Sequence, residues 1–248
     1  MTSASKLVEL GESVTEACLG AIGSATDWSL TGERRGQHAG DVDADAAGLS
    51  ILKKASLRVF SEESGLSGPE SSVVAVIDPI DGSTNASRGI PYWSSSVCFM
   101  DESGPLAAVV RVAPLGDVYT AIRGGGAYRN SVPIATSQRQ ELRRGIVYVN
   151  GYPRGKRPWA QMRSLGSAAL ELCLIASGSG DGFIDFSDGL AVWDYAGGAL
   201  ILQEAGGALT SSDGSALSWD LVSERHRLVA GASGELVKGL IDVAVEPL

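Results

Sequence analysis

The sequence predicts a mixed α/β fold that is strand-rich through residue 144 and alternates helix with strand from 145 to 248. Three observations predict it: apolar residues at helical spacing near the start, a series of short β-prone runs between Leu57 and Ile122, and a change of pattern after Arg144. One domain over 1–248 is expected, because no repeat, low-complexity tract or Pro/Gly-rich linker separates the two halves.

Leu7, Leu10, Val14, Ala17, Cys18 and Ala21 share one face at helical spacing, which predicts an amphipathic helix over 4–22. A looser stretch follows to about 41, and Ala46 to Ala55 reads as a second helix. The runs 57–60, 73–77, 95–100, 106–112 and 117–122 read as strands, several of them antiparallel, because Gly, Pro and Asp punctuate them closely. In the second half, strands are expected at 146–149, 182–185 and 228–230, and helices at 167–177, 193–205 and near 235–241. Gly206-Gly207 stops the 193–205 helix. Asp213-Gly214 predicts a hairpin.

Twenty-nine acids against twenty bases give a formal charge of -9, which opposes binding to nucleic acid or anionic membrane. The densest basic patch, Arg154-Gly155-Lys156-Arg157, is too short to reverse that and reads as a solvated loop. Cys18, Cys98 and Cys173 are odd in number and set among apolar neighbours, as expected of buried reduced thiols. Arg111 and Glu171 interrupt the longest apolar stretches, and the first residues carry no signal-type apolar core, so a soluble cytoplasmic protein is expected.

The chemistry concentrates in Ile77-Asp-Pro-Ile-Asp-Gly-Ser-Thr-Asn85, which follows the apolar run Val73 to Val76. Asp78 ends a buried strand, Pro79 withholds a ladder donor and Asp81-Gly82 turns the chain, so two carboxylates enter one loop. An Asp-Gly turn capping the next helix explains this stretch equally well. Glu62-Glu63 after another strand and Asp194 at the start of an apolar helix add acids, although Asp194 also suits a helix cap. If Glu62, Asp78, Asp81 and Asp194 converge, each pair about 4 Å apart repels by roughly 4 kcal/mol at an effective dielectric of 20, so protons or cations must relieve it. An all-oxygen donor set selects hard cations, Mg2+ first and Mn2+ second. The free N–H groups after Asp81 form an anion site beside them. Together these features point to metal-assisted attack on a phosphate ester.

Asp78-Pro-Ile-Asp-Gly-Ser-Thr-Asn85, Glu62-Glu63-Ser64 and Trp193-Asp-Tyr-Ala-Gly-Gly through Glu204-Ala-Gly-Gly207 resemble the signature segments of the inositol monophosphatase family, in the same order. Gly124 to Ile134 resembles that family's glycine-rich hairpin, and Arg163-Ser-Leu-Gly-Ser-Ala-Ala169 its substrate-facing loop. The resemblance runs from about residue 4 to 240. It implies an αβαβα five-layer sandwich of the inositol monophosphatase and fructose-1,6-bisphosphatase type, a homodimer, and Mg2+-dependent hydrolysis of small phosphate monoesters with two or three ions.

The resemblance further implies that Glu62, Asp78 and the Ile80 carbonyl hold one metal and that Asp78, Asp81 and Asp194 hold another. Ser83 stands where the family has threonine. An acid from Asp41, Asp43 and Asp45 pairs with its hydroxyl to activate water, and Asp45 is the expected one. Gly82 and Ser83 N–H groups grip phosphate oxygens, while Asp81, Gly166, Ser167, Ala168 and Asp185 contact substrate; ordinary capping and an Asp-Gly turn explain Ser167 and Asp185 as well. Inositol monophosphate is the expected substrate. Fructose 1,6-bisphosphate, a 3'-phosphoadenosine nucleotide and histidinol phosphate are the family alternatives, and a regulator that binds a phospho-ligand or a protein is the non-enzyme alternative.

Overall fold

The computed structural model describes residues 3–24, 28–32, 37–153, 155, 157–221 and 224–244; Arg154 and Lys156 of the basic patch lie outside them. Helix α1 (Ala4–Ser24) and helix α2 (Ala39–Lys54) open the chain. Helix α2 starts seven residues earlier than expected, so Asp41, Asp43 and Asp45 lie within it and not before it. The reason is its first turn: Asp41 accepts the His38 backbone N–H at 2.8 Å, and an acid there suits the exposed N–H groups of a helix start.

Strands β1 (Arg58–Ser61), β2 (Gly65–Ser67), β3 (Val74–Asp81), β4 (Ser94–Asp101), β5 (Gly104–Val112), β6 (Val118–Ile122), β7 (Gly126–Arg129) and β8 (Val132–Pro133) follow, with the short helix α3 (Ser83–Arg88) between β3 and β4. Next come β9 (Ile146–Asn150), β10 (Gln161–Arg163), α4 (Ala168–Ala176), β11 (Gly182–Asp185), α5 (Val192–Glu204), β12 (Ala208–Ser211), β13 (Leu228–Gly231) and α6 (Gly234–Ala244). Among the described residues the strands form an eight-stranded sheet, ordered β2-β1-β3-β4-β5-β6-β7-β8, and a five-stranded sheet, ordered β10-β9-β11-β13-β12. The expected antiparallel pairing holds along most of the first sheet, but β1 and β3 are parallel. Asp213-Gly214 makes a turn without closing the expected hairpin, because β12 pairs with β13.

Three apolar clusters define the layers. Val14, Cys18, Leu52, Ile77, Phe99 and Val109 join α1 and α2 to one face of the large sheet. Val110, Leu172, Cys173, Ala199 and Ile201 put α4 and α5 between the sheets, and Val147, Ile184, Leu236 and Leu240 seat α6 on the far face of the small one. The order is therefore αβαβα, as expected. Glycine makes the middle layer thin enough: a Cβ at Gly197 would lie 2.4 Å from Ser96 Oγ on β4, and one at Gly198 would lie 2.8 Å from Leu172 Cβ on α4. All three cysteines are free and buried. No helix among the described residues is long and apolar enough to cross a membrane.

Candidate active site

Register brings the first two acids together. Strand β1 runs parallel to β3 with Ser61 opposite Ile77, and the Glu62 N–H continues the ladder onto the Ile77 carbonyl at 3.1 Å. Glu62 and Asp78 are therefore neighbours on two parallel strands, with carboxyl oxygens within 4.8 Å of each other.

Asp78 and Asp81 are three apart, which in a regular strand would send them to opposite faces. The ladder with β4 is irregular here: Asp78 faces Ser96 and Asp81 faces Ser94, so one extra residue is accommodated on β3. Pro79, unable to donate, sits inside this bulge, where proline is tolerated. The Ile80 N–H, freed from regular pairing, donates to Asp78 Oδ1 at 3.1 Å. Helix α5 supplies the next acid. Asp194 lies in its first turn and accepts the Ala191 N–H at 2.7 Å, while the preceding Trp193 packs edge-on to Phe60 of β1 with ring centroids 5.2 Å apart. That contact fixes the helix start beside Glu62.

The result is a cluster in which ligand atoms of Glu62, Asp78 and Asp194 all lie within 4.8 Å of one another. Burial is the main cause of their unusual acidities, with mutual repulsion adding to it. Glu62 is pushed up to about 8 and Asp194 to about 6; the Ala191 N–H and the Arg225 guanidinium, 3.6 Å from Asp194 Oδ2, hold Asp194 down in part. Asp78 is raised well above the usual carboxylate range. Such a set suits a hard divalent cation: its donors are all carboxylate oxygens, Asp78 buried and Glu62 and Asp194 partly so, and short of compensating positive charge.

Asp81 stands beside this trio but is turned toward α4. It accepts the Ser167 hydroxyl and the Ala169 N–H, both at 2.7 Å, and the Ala168 N–H at 3.3 Å. Burial nonetheless raises it to about 7, with the Asp194 charge adding to the rise. The donors expected to meet substrate from Ser167 and Ala168 are thus directed at Asp81, because a buried carboxylate demands them.

The water-activating pair differs from expectation. Asp45 accepts the Ser61 hydroxyl at 2.5 Å, and no hydrogen bond joins it to Ser83 among the described residues. Asp41 is buried at the helix start and Asp43 is exposed. Asp45 therefore braces the residue next to Glu62. Asp185 is buried and holds the Asn150 amide and the Ser187 N–H through Oδ1, while its Oδ2 has no hydrogen-bond partner. A cavity of about 370 Å3, lined by Phe60, Ser61, Glu62, Glu63, Trp193 and Arg225 among others, opens beside the acids. Arg225 was not foreseen; it lies in a stretch without local pattern and reaches Asp194 only through the fold.

Residues 41–246 match the profile of the inositol monophosphatase family. The chain belongs to that family. Its relatives include the fructose-1,6-bisphosphatase/inositol-1-monophosphatase of Archaeoglobus fulgidus, 40% identical over 207 residues and 79% of each chain. The Nus factor SuhB of Escherichia coli is 32% identical over 174 residues, covering 63% of this chain and 64% of that one. Among solved structures, the inositol monophosphatase from Anabaena superposes with a TM-score of 0.83 at 24% identity, over 98% of this chain and 96% of that one, which shows the shared fold. The family supports a metal-dependent phosphatase, and the acidic cluster could hold a metal ion.

Proposed function

We propose that the protein hydrolyses a small phosphate monoester, with inositol monophosphate as the first candidate and fructose 1,6-bisphosphate as the second. The observation that carries this reading is the convergence of Glu62, Asp78 and Asp194 beside the Gly82 turn. Glu62, Asp78, Asp194 and the Ile80 carbonyl would hold Mg2+, with Asp81 completing the set through oxygen lone pairs left after its bonds to α4. When bound, the cation supplies a Lewis acid that acidifies water and offsets the charge of a phosphate ester.

The chain's own residues do the rest. Gly82 adopts φ 98°, which turns the chain into α3, so the N–H groups of Gly82 and Ser83 stand at a helix start without intrahelical partners. They would bind phosphate oxygens as fixed dipoles that need not reorganise when charge shifts. Glu62 and the Ser83 hydroxyl would orient the attacking water, and Asp45 would act on Glu62 through Ser61. Asp185 Oδ2, buried and without a partner, would accept a substrate hydroxyl. The 40% identity to the archaeal fructose-1,6-bisphosphatase/inositol-1-monophosphatase supports both candidate substrates.

Inositol 1-phosphate, fructose 1,6-bisphosphate, 3'-phosphoadenosine 5'-phosphate and histidinol phosphate, each assayed with Mg2+ and with chelator, test the reading. Phosphate release that requires Mg2+ is expected for at least one of the first two. Absence of release from all four would favour the regulatory reading suggested by the SuhB-named relatives, although a pure binder has no need of mutually repelling buried carboxylates.

Gly82→Ala tests the turn itself. A Cβ there would meet the Gly166 carbonyl at 2.9 Å in a backbone conformation that costs a non-glycine residue roughly 1–2 kcal/mol. A fall in kcat/KM of about a hundredfold is expected from the displaced N–H groups, with a measurable drop in melting temperature; unchanged kinetics would place the phosphate elsewhere.

A further inference from the structure

Helix α4 reads Ala-Ala-Leu-Glu-Leu-Cys-Leu-Ile-Ala and carries one charged residue, Glu171, which is 1% exposed. No cation pairs with it among the described residues, and burial pushes its carboxyl up to about 8. A group so costly to bury calls for an explanation. Its Oε1 accepts the Leu165 N–H at 2.7 Å, and the Gly166 N–H also favours its charged form. From the other side, Asn85 Nδ2 donates to the Leu165 carbonyl at 2.6 Å and to the Tyr92 carbonyl at 2.7 Å. Leu165 is therefore held at its N–H by α4 and at its C=O by α3.

The parts on either side of this residue have no slack. A Cβ on Gly82 would lie 2.9 Å from the Gly166 carbonyl, and one on Gly166 would lie 3.2 Å from Asn85 Nδ2. Directly after Gly166, Ser167, Ala168 and Ala169 orient Asp81. The position of the 165–166 segment thus sets the Gly82 turn on one side and the donors to Asp81 on the other.

We propose that Asn85 and Glu171 are paired positioning residues that clamp Leu165 from both ends, holding the phosphate-facing turn and the start of α4 in fixed relation. The catalytic consequence rests on the function proposed above; the mechanical coupling does not. Neither side chain is assigned a contact with substrate or with the reacting atoms. Each acts through the backbone it holds.

The test compares Asn85→Ala, Glu171→Met, their double variant and Glu171→Gln, which keeps an acceptor oxygen for the Leu165 N–H. Amide hydrogen exchange is read at Gly82, Ser83, Leu165 and Gly166 in all of them, independently of turnover. Glu171→Met is expected to speed exchange at Gly82 and Ser83, which Glu171 does not touch, and Glu171→Gln to restore most of the protection. In Mg2+ assays each single truncation is expected to lower kcat/KM by about ten- to a hundredfold, the scale of a misplaced catalytic group. The double variant is expected to lose less than the product of the two, because both side chains hold one residue. Unchanged exchange at Gly82 and Ser83 in Glu171→Met, or effects of the two truncations that simply multiply, would overturn the clamp. A wild-type protein without Mg2+-dependent phosphate release would instead refute the proposed function, and the exchange experiment would still decide the coupling.

Discussion

Asp78→Asn is expected to lower turnover by about a thousandfold or more, equivalent to some 4 kcal/mol of transition-state stabilisation, while leaving the chain folded. Asp78 is buried within the acidic cluster, with ligand atoms of Glu62 and Asp194 within 4.8 Å, and in the proposed function it is a donor to the cation. An amide in its place retains the shape and one acceptor but loses the negative charge. Without metal the variant is expected to melt no lower than the wild type, because the substitution removes one member of a group of buried, mutually repelling carboxylates. Calorimetric titration with Mg2+ or Mn2+ should show affinity weakened by at least tenfold. Turnover within tenfold of wild type on a substrate the wild type hydrolyses would contradict the central role given to this residue.

The second large effect is a coupling between pH, metal and stability. Glu62, Asp81 and Asp194 are pushed up to about 8, 7 and 6 in the folded protein, mainly by burial, whereas in the unfolded chain they titrate near 4. Between those values the folded state binds more protons than the unfolded state, so the slope of stability with pH is negative. The stabilising contribution is present at low pH and is lost as pH rises from about 4 through 8. The metal-free protein should accordingly melt at a lower temperature at pH 8 than at pH 5.5, by several degrees if a few kcal/mol are involved. Mg2+ replaces the protons, so its stabilising effect should be larger at pH 8. Titration in buffers of different ionisation enthalpy near neutral pH should register proton release on binding. A metal-free melting temperature that rises steadily over this range, with no proton release, would mean that the acids are ionised and solvated.

Much of this architecture was legible in the chain because local pattern and tertiary demand agree. The stripe from Leu7 to Ala21, the alternation after Arg144 and the Gly206-Gly207 stop all act within one element, and each appears where the spacing places it. The start of α2 was not legible: acids in a first turn lower apparent apolar periodicity while favouring the helix electrostatically. The pairing of β12 with β13 was hidden because a turn signal at Asp213-Gly214 says nothing about which later strand completes the ladder. In the site, Glu62, Asp78 and Asp194 could be read as a group because each adjoins an apolar element that must be buried, Glu62 and Asp78 late in or after a strand and Asp194 in the first turn of a helix. The partners of Asp45 and Asp81 could not, since Ser61 and Ser167 meet them only through the parallel β1–β3 register and the packing of α4. Glu171 did leave a signal, a solitary acid in an apolar helix, which first reads as a mere interruption of hydrophobicity.

The most direct measurement is the anomalous scattering of crystals grown with Mn2+ and inorganic phosphate. A manganese peak shared by the carboxylates of Glu62, Asp78 and Asp194, with phosphate density against the Gly82 and Ser83 N–H groups, is the predicted result. Manganese bound elsewhere, or those three carboxylates left without a cation at millimolar Mn2+, would contradict it.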